Sequence, residues 1–116
     1  MFVFLLHDKQ NNYYSINHSN EEISDYASHA ILSNNTNIYC YNNQEIILWI
    51  SGFPDIQSAK QFIWRWTQYL DLTGGLKEPN LLKIYSSLKK VLTLEKSTSL
   101  AIPFNNWCSP PKIHFA

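Results

Sequence analysis

One arginine and three glycines in 116 residues set the first limits. With Arg65 alone, forked recognition of phosphates or base edges has a single guanidinium to draw on. Glycine scarcity excludes a phosphate loop: Gly74-Gly75 is not followed by Gly-Lys-Ser/Thr and reads as a helix stop. The two cysteines, Cys40 and Cys108, are too few for a disulfide framework or a zinc site. They read as reduced, partly buried thiols. His7, His18, His29 and His114 are scattered, without a His-Glu-x-x-His pattern, so neither metal nor cofactor is expected. Asp8 and His18 flank the first turn and are candidates to meet across it. The apolar run Met1 to Leu6 ends at His7-Asp8-Lys9, too short for a secretion signal or a membrane span. An intracellular protein, cytoplasmic or nuclear and neither secreted nor membrane-bound, is the expectation. Nine basic residues balance nine acidic ones, so no net field draws the chain to nucleic acid, and such contact is weak by charge.

What is present is apolar and aromatic. Hydrophobic residues make up 45% and aromatic ones 15%, which excludes a disordered chain. A chain of this length buries roughly two thirds of its unfolded surface in one core. A single domain over residues 1–116 is expected, with a core over about 1–72 and a helix-and-tail extension over about 79–116. The excess of Asn and Ile over Arg and Gly fits an AT-rich genome, such as that of a large DNA virus or a protist.

Phe2 to His7 reads as a buried strand, Asp8 to Asn12 as a turn and Tyr13 to Ile16 as a second strand, together a hairpin. Ser19-Asn20-Glu21-Glu22 is a capping box for a helix carrying Ile23, Tyr26, Ala27, Ala30 and Ile31 and ending near Ser33. Ile38 to Tyr41 and Glu45 to Ser51 are strand-like, the second with the look of a central strand. Gly52-Phe53-Pro54 is a tight turn, and Asp55 caps a helix from Ile56. Ala59, Phe62, Ile63, Trp66, Tyr69 and Leu70 recur at helical spacing and form its apolar stripe. Asn80 caps another helix with a stripe of Leu81, Leu82, Ile84, Tyr85, Leu88, Val91 and Leu92. Lys83, Lys89 and Lys90 lie on its wet side. The proline-rich tail from Leu100 to Ala116 is expected to wrap the surface without regular structure. The fold class is α+β, a small antiparallel sheet flanked by helices.

Gly52-Phe53-Pro54, followed by Ala59, Phe62, Trp64 and Trp66, resembles the GIY-YIG endonuclease superfamily. The similar branch is the catalytic subunits of structure-specific DNA endonucleases, with a Gly-Phe-Pro turn and a Phe-Glu-Trp-x-Trp helix. More loosely, Phe2 to Leu6 takes the place of that family's Gly-Ile/Val-Tyr strand, and Tyr13 to Ile16 that of its Tyr-Ile/Val-Gly strand. Leu100 to Trp107 is similar to sequence downstream of the nuclease core. The resemblance implies a GIY-YIG nuclease-like fold with an extra C-terminal helix and extended tail. The family hydrolyses phosphodiesters with one divalent metal held by the helix glutamate. Strand tyrosines position water, and an arginine offsets phosphate charge, as such chemistry requires.

By position, most of that set is replaced. Ile63 stands for the metal-binding glutamate and Phe4 for the first tyrosine. Glu21 and Glu22 stand where the arginine is expected, and Tyr26 where that branch often has histidine. A second-strand tyrosine survives, Tyr13 or Tyr14. Structural roles account for the changes equally: Ile63 completes an apolar stripe, worth roughly 1.5–3 kcal/mol on burial, and Glu22 completes a capping box. The leading expectation is a catalytically inactive GIY-YIG-like domain with no metal and no catalytic residues of its own. It acts as a structural or accessory subunit with a protein partner in a nucleic-acid-processing assembly. Trp64, Arg65, Lys83, Lys89, Lys90 and Trp107 are its candidate binding residues. The alternatives are an active structure-specific endonuclease using Asp8, Glu45 or Asp55 for its metal, and a non-cleaving nucleic-acid-binding module. If the Ile63 position is dry, Ile63→Glu lowers stability by several kcal/mol in a denaturant titration, and a neutral effect marks a site open to water.

Overall fold

The structure, a computed structural model, describes residues 1–20, 40–41, 44–73 and 80–115. Strand β1 (Phe2–Asp8) pairs antiparallel with β2 (Tyr13–Ser19) from Phe2↔Ser19 to Asp8↔Tyr13. The turn between them is built by Asp8, whose Oδ1 accepts hydrogen bonds from the amides of Gln10 at 3.0 Å and Asn11 at 3.2 Å. Asn12 takes the left-handed conformation, φ 50°, which Asn tolerates better than most residues. His18 pairs with Val3, at the far end of the hairpin from Asp8, so these two side chains do not meet.

Strand β4 (Gln44–Ser51) lies on the other edge of β1, which is therefore central. Its own outer edge is shared. Strand β3 (Cys40–Tyr41) pairs with Gln44 and Glu45, and β5 (Lys112–Phe115) pairs with Leu48 to Ser51. The result is a five-stranded antiparallel sheet. The tail therefore does more than wrap the surface, because β4 still has unpaired backbone groups beyond β3 that the tail satisfies. Ile47 is an extra residue between the pairs Leu5↔Leu48 and Leu6↔Ile46. This bulge turns both Ile47 and Leu48 towards the same core.

Helix α1 (Ile56–Thr73) begins at Asp55, whose Oδ1 accepts the Ser58 amide at 2.7 Å. Ala59, Phe62, Trp66 and Leu70 are fully buried, and Ile63 and Tyr69 flank them. Helix α2 (Leu81–Leu92) begins at Asn80, whose Oδ1 accepts the amides of Leu82 and Lys83. It buries Ile84, Leu88 and Val91. Leu82 departs from the expected stripe and is 74% exposed, because it lies off the face that meets α1. The two helices join Val3, Leu5, Leu48 and Ile50 in one core on one face of the sheet. On the other face Phe4, Leu6 and Ile46 form a second buried cluster. A strand buried on both faces reads as a continuous apolar run, which explains Val3-Phe4-Leu5-Leu6. The helix expected over residues 21–33 lies outside the described residues. No described helix is long and apolar enough to cross a membrane.

The chain after α2 folds back into the core through aromatic rings. Phe53 meets Phe62 edge-on with ring centres 5.2 Å apart, and Trp107 at 5.0 Å. Phe104 meets Trp107 at 5.1 Å and Phe62 at 6.2 Å. A 3-10 turn at Phe104–Asn106 carries the tail across this cluster towards β5. Cys108, just beyond, is an exposed free thiol, contrary to the expected partly buried one, because it follows the last core ring.

Gly52 makes the crossing possible. Its φ is 106°, and a Cβ placed there would lie 2.7 Å from the Pro110 carbonyl oxygen. Both the conformation and the contact demand glycine. Gly52→Ala is expected to lower stability by at least about 1–3 kcal/mol in urea unfolding. An unchanged midpoint would show that the tail does not rest on this turn.

Candidate binding groove

Among the described residues, the positions that the resemblance likens to nuclease residues are divided between the two faces of the sheet. Phe4 is buried on the sheet face away from α1, in the cluster with Leu6 and Ile46. Tyr13, paired with Asp8, points to that same side and is 41% exposed, and its hydroxyl accepts a long 3.4 Å hydrogen bond from Gln44 Nε2. Ile63 packs on the α1 side, against the main core. Tyr14 lies on that side too, stacked on His7 with ring centres 4.5 Å apart. Burial pushes the Tyr14 phenol above its usual value of 10.0, and the nearby Tyr85 and Glu45 add to the shift. The alternation of a strand is the cause: neighbouring residues face opposite ways, so Tyr13 and Tyr14 cannot serve one site. Glu21, Glu22 and Tyr26 lie outside the described residues. Ile63 is half-buried rather than dry, which lowers the expected cost of Ile63→Glu.

The candidate carboxylates are already engaged. Asp8 holds its turn through the Gln10 and Asn11 amides, and Glu45 sits 3.4 Å from Lys9 Nζ. Asp55 caps α1. Asp8 and Glu45 belong to one end of the sheet, while Asp55 follows the opposite end of β4. Among the described residues no group of three or more His, Cys, Asp or Glu is placed to hold a metal ion.

A different surface is assembled. Helical spacing puts Lys60 one turn before Trp64 and Gln61 one turn before Arg65 on the outward side of α1. Trp64 is 54% exposed. The Arg65 guanidinium lies 4.9 Å from the centre of its ring, a cation–π contact. Arg65 Nε donates to the Ser97 carbonyl at 2.7 Å, and Nη1 donates to Gln68 Oε1 at 2.7 Å. The single arginine thus ties α1 to the segment after α2. That segment turns at Thr98, where the Ala101 amide donates to the Thr98 carbonyl at 3.1 Å. Thr98, Ser99 and Leu100 form the second wall of a groove of about 410 Å³ whose first wall is Lys60, Gln61, Trp64 and Arg65. Leu100, at 90% exposure, is left almost wholly in solvent at its edge.

Of the expected binding residues, Trp64 and Arg65 line this groove. Lys90 stands near it, its Nζ 4.6 Å over the Tyr69 ring, whose centre is 6.0 Å from Arg65 Cζ. Lys83, half-buried, and the exposed Lys89 are not part of it. Trp107 is a correction. It is 7% exposed, held in the core by Phe53 and Phe104, with Nε1 donating to the Ile102 carbonyl at 3.3 Å. Lys60 and Gln61 were legible as helical neighbours of Trp64. Thr98 to Leu100 carry no signal in the sequence, because only folding brings them to α1.

No family model matches this chain, and no curated protein or solved structure matches it at a significant level.

Hydrogen bonds from backbone amides hold the Asp55 and Asp8 carboxyls below their usual value of 3.8. A group depressed in the folded state stabilises it above the unfolded pKa and loses that contribution as pH falls through the folded one. Stability is therefore expected to fall on acidification below about pH 4. Asp55→Ala lowers stability at neutral pH and flattens this acid limb, as measured by urea unfolding at a series of pH values. An unaltered limb would remove Asp55 from the account.

Proposed function

We propose that this chain is a GIY-YIG-like domain without a working nuclease centre, and that it acts by binding. In this reading it is an accessory or structural subunit of an assembly that processes nucleic acid in repair, replication or transcription. One observation carries the reading: an aliphatic residue, Ile63, packs against the core at the position where the resemblance expects the metal-holding glutamate. Phe4, in place of a tyrosine, is buried at 1% exposure and offers no oxygen to a water or a phosphate. The turn and aromatic helix that carry the resemblance are meanwhile intact: Gly52 has the conformation that only glycine adopts readily, and Phe62 and Trp66 are fully buried.

A domain with packing residues at its reactive positions still offers surfaces. The groove beside Trp64 combines an exposed aromatic ring, a fixed guanidinium and an apolar edge, a composition common in protein interfaces. Neutral overall charge argues for a protein partner over a polyanion.

Two measurements test this. Incubation with flap and branched DNA in Mg²⁺ or Mn²⁺ is expected to give no cleavage; metal-dependent, dose-dependent cutting would overturn the inactive assignment. Purification from the native source is expected to recover the chain in a larger assembly. Recovery only as a free monomer would sink the accessory role.

A further inference from the structure

We infer that the Trp64 groove receives a short linear segment of a partner protein that presents one large apolar side chain flanked by carboxylates. The inference rests on the accessory-subunit reading and names the chemistry of the contact. Charge complementarity is the first argument. Lys60 and Arg65 are the charged residues of the lining, and no acidic side chain is among them. In a chain of zero net charge this pair of cations makes the groove locally positive, and an anionic group complements it. Lys60 is exposed and makes no ion pair among the described residues.

Shape is the second argument. The groove, about 410 Å³, is within the range of roughly 300–1,000 Å³ that suits a compact ligand group. The half-exposed Trp64 ring and the exposed Leu100 side chain give this open groove an apolar surface on which one bulky side chain can rest. Thr98 and Ser99, which also line it, carry hydroxyls of the kind that exchange hydrogen bonds with an extended backbone.

The same features disfavour a nucleic-acid strand. Two of Arg65's donor nitrogens are committed to Ser97 and Gln68, so it meets any anion, carboxylate or phosphate, through its charge and remaining N–H groups rather than its full fork. One face of Trp64 already carries the guanidinium, and the opposite wall is Leu100 rather than a second ring. A series of stacked bases would need further platforms and more cations along the path. An acidic segment with one apolar anchor needs neither.

Arg65 is pre-positioned for this role. Its bonds to Ser97 and Gln68 hold it against Trp64 before any ligand arrives, so less side-chain freedom is lost on binding.

The test uses the whole purified chain and three fluorescein-labelled probes, followed by anisotropy. One peptide carries a Trp flanked on both sides by Asp-Glu pairs; a second has Lys-Arg pairs in their place; the third probe is oligothymidylate. The acidic peptide is expected to bind, the basic one not, and added salt to weaken the complex. Trp64→Ala and Lys60→Glu are each expected to cost about tenfold or more in affinity. Lys60 is exposed, so Lys60→Glu keeps the wild-type melting temperature; Trp64→Ala loses the ring under Arg65 and is expected to keep a cooperative melting transition at a slightly lower temperature, and Lys89→Glu, outside the groove, leaves binding unchanged. Equal binding of both peptides, or indifference to both groove variants, overturns the proposal. So does oligothymidylate binding that Trp64→Ala abolishes, or self-association through the groove. A co-purified partner that still binds Trp64→Ala and Lys60→Glu sinks the groove and leaves the accessory role standing. Recovery as a free monomer that binds the acidic peptide does the reverse.

Discussion

The rings packed around Phe62 are the contact on which the rest of the structure depends. Phe62 lies at the middle of α1's buried face and touches Phe53 before the helix, Trp66 one turn on, and Phe104 from the tail. Trp107 closes the group against Phe53 and Phe104. Each such pair adds about 0.5–1.5 kcal/mol beyond the area it buries. Their larger effect is topological. They fasten the segment that follows α2, and the tail that returns to the sheet as β5, to α1 and the turn before it.

From that fastening follows the surface beside Trp64. Because Phe104 and Trp107 are held in the core, the chain from Leu94 to Pro103 must run along α1, and Arg65 bonds to it at Ser97. The groove is the space left between that segment and Trp64. On the sheet, alternation divides the neighbouring aromatic residues between its two faces. Phe4 and Tyr13 look one way, and Tyr14 looks the other, towards the side of Ile63. Ile63 continues the packing of its helix against the main core.

Much of the local structure was legible in the sequence because local rules produced it. Asp55 and Asn80 are caps by chemistry and by position, and both bond the amides that caps serve. Asp8 and Asn12 form a turn for reasons contained within five residues. The α1 stripe obeys helical spacing so closely that every residue expected on it is buried or half-buried. Leu82 fails because an apolar residue at the border of a stripe carries no label for which side it takes. Trp107 fails for a related reason: a tryptophan among prolines reads as a surface anchor until its ring partners are known.

The α+β class, both described helices and the first hairpin were legible in the sequence alone. Each follows from residues near one another in the chain, where propensity, capping and periodicity act directly. Only the tertiary structure decided that the tail adds a strand, that the bulge at Ile47 sets the facing of β4, and that Thr98 to Leu100 meet Trp64. Those outcomes depend on which distant surfaces exclude water together, and such pairings are fixed by the packed whole rather than by any stretch of it.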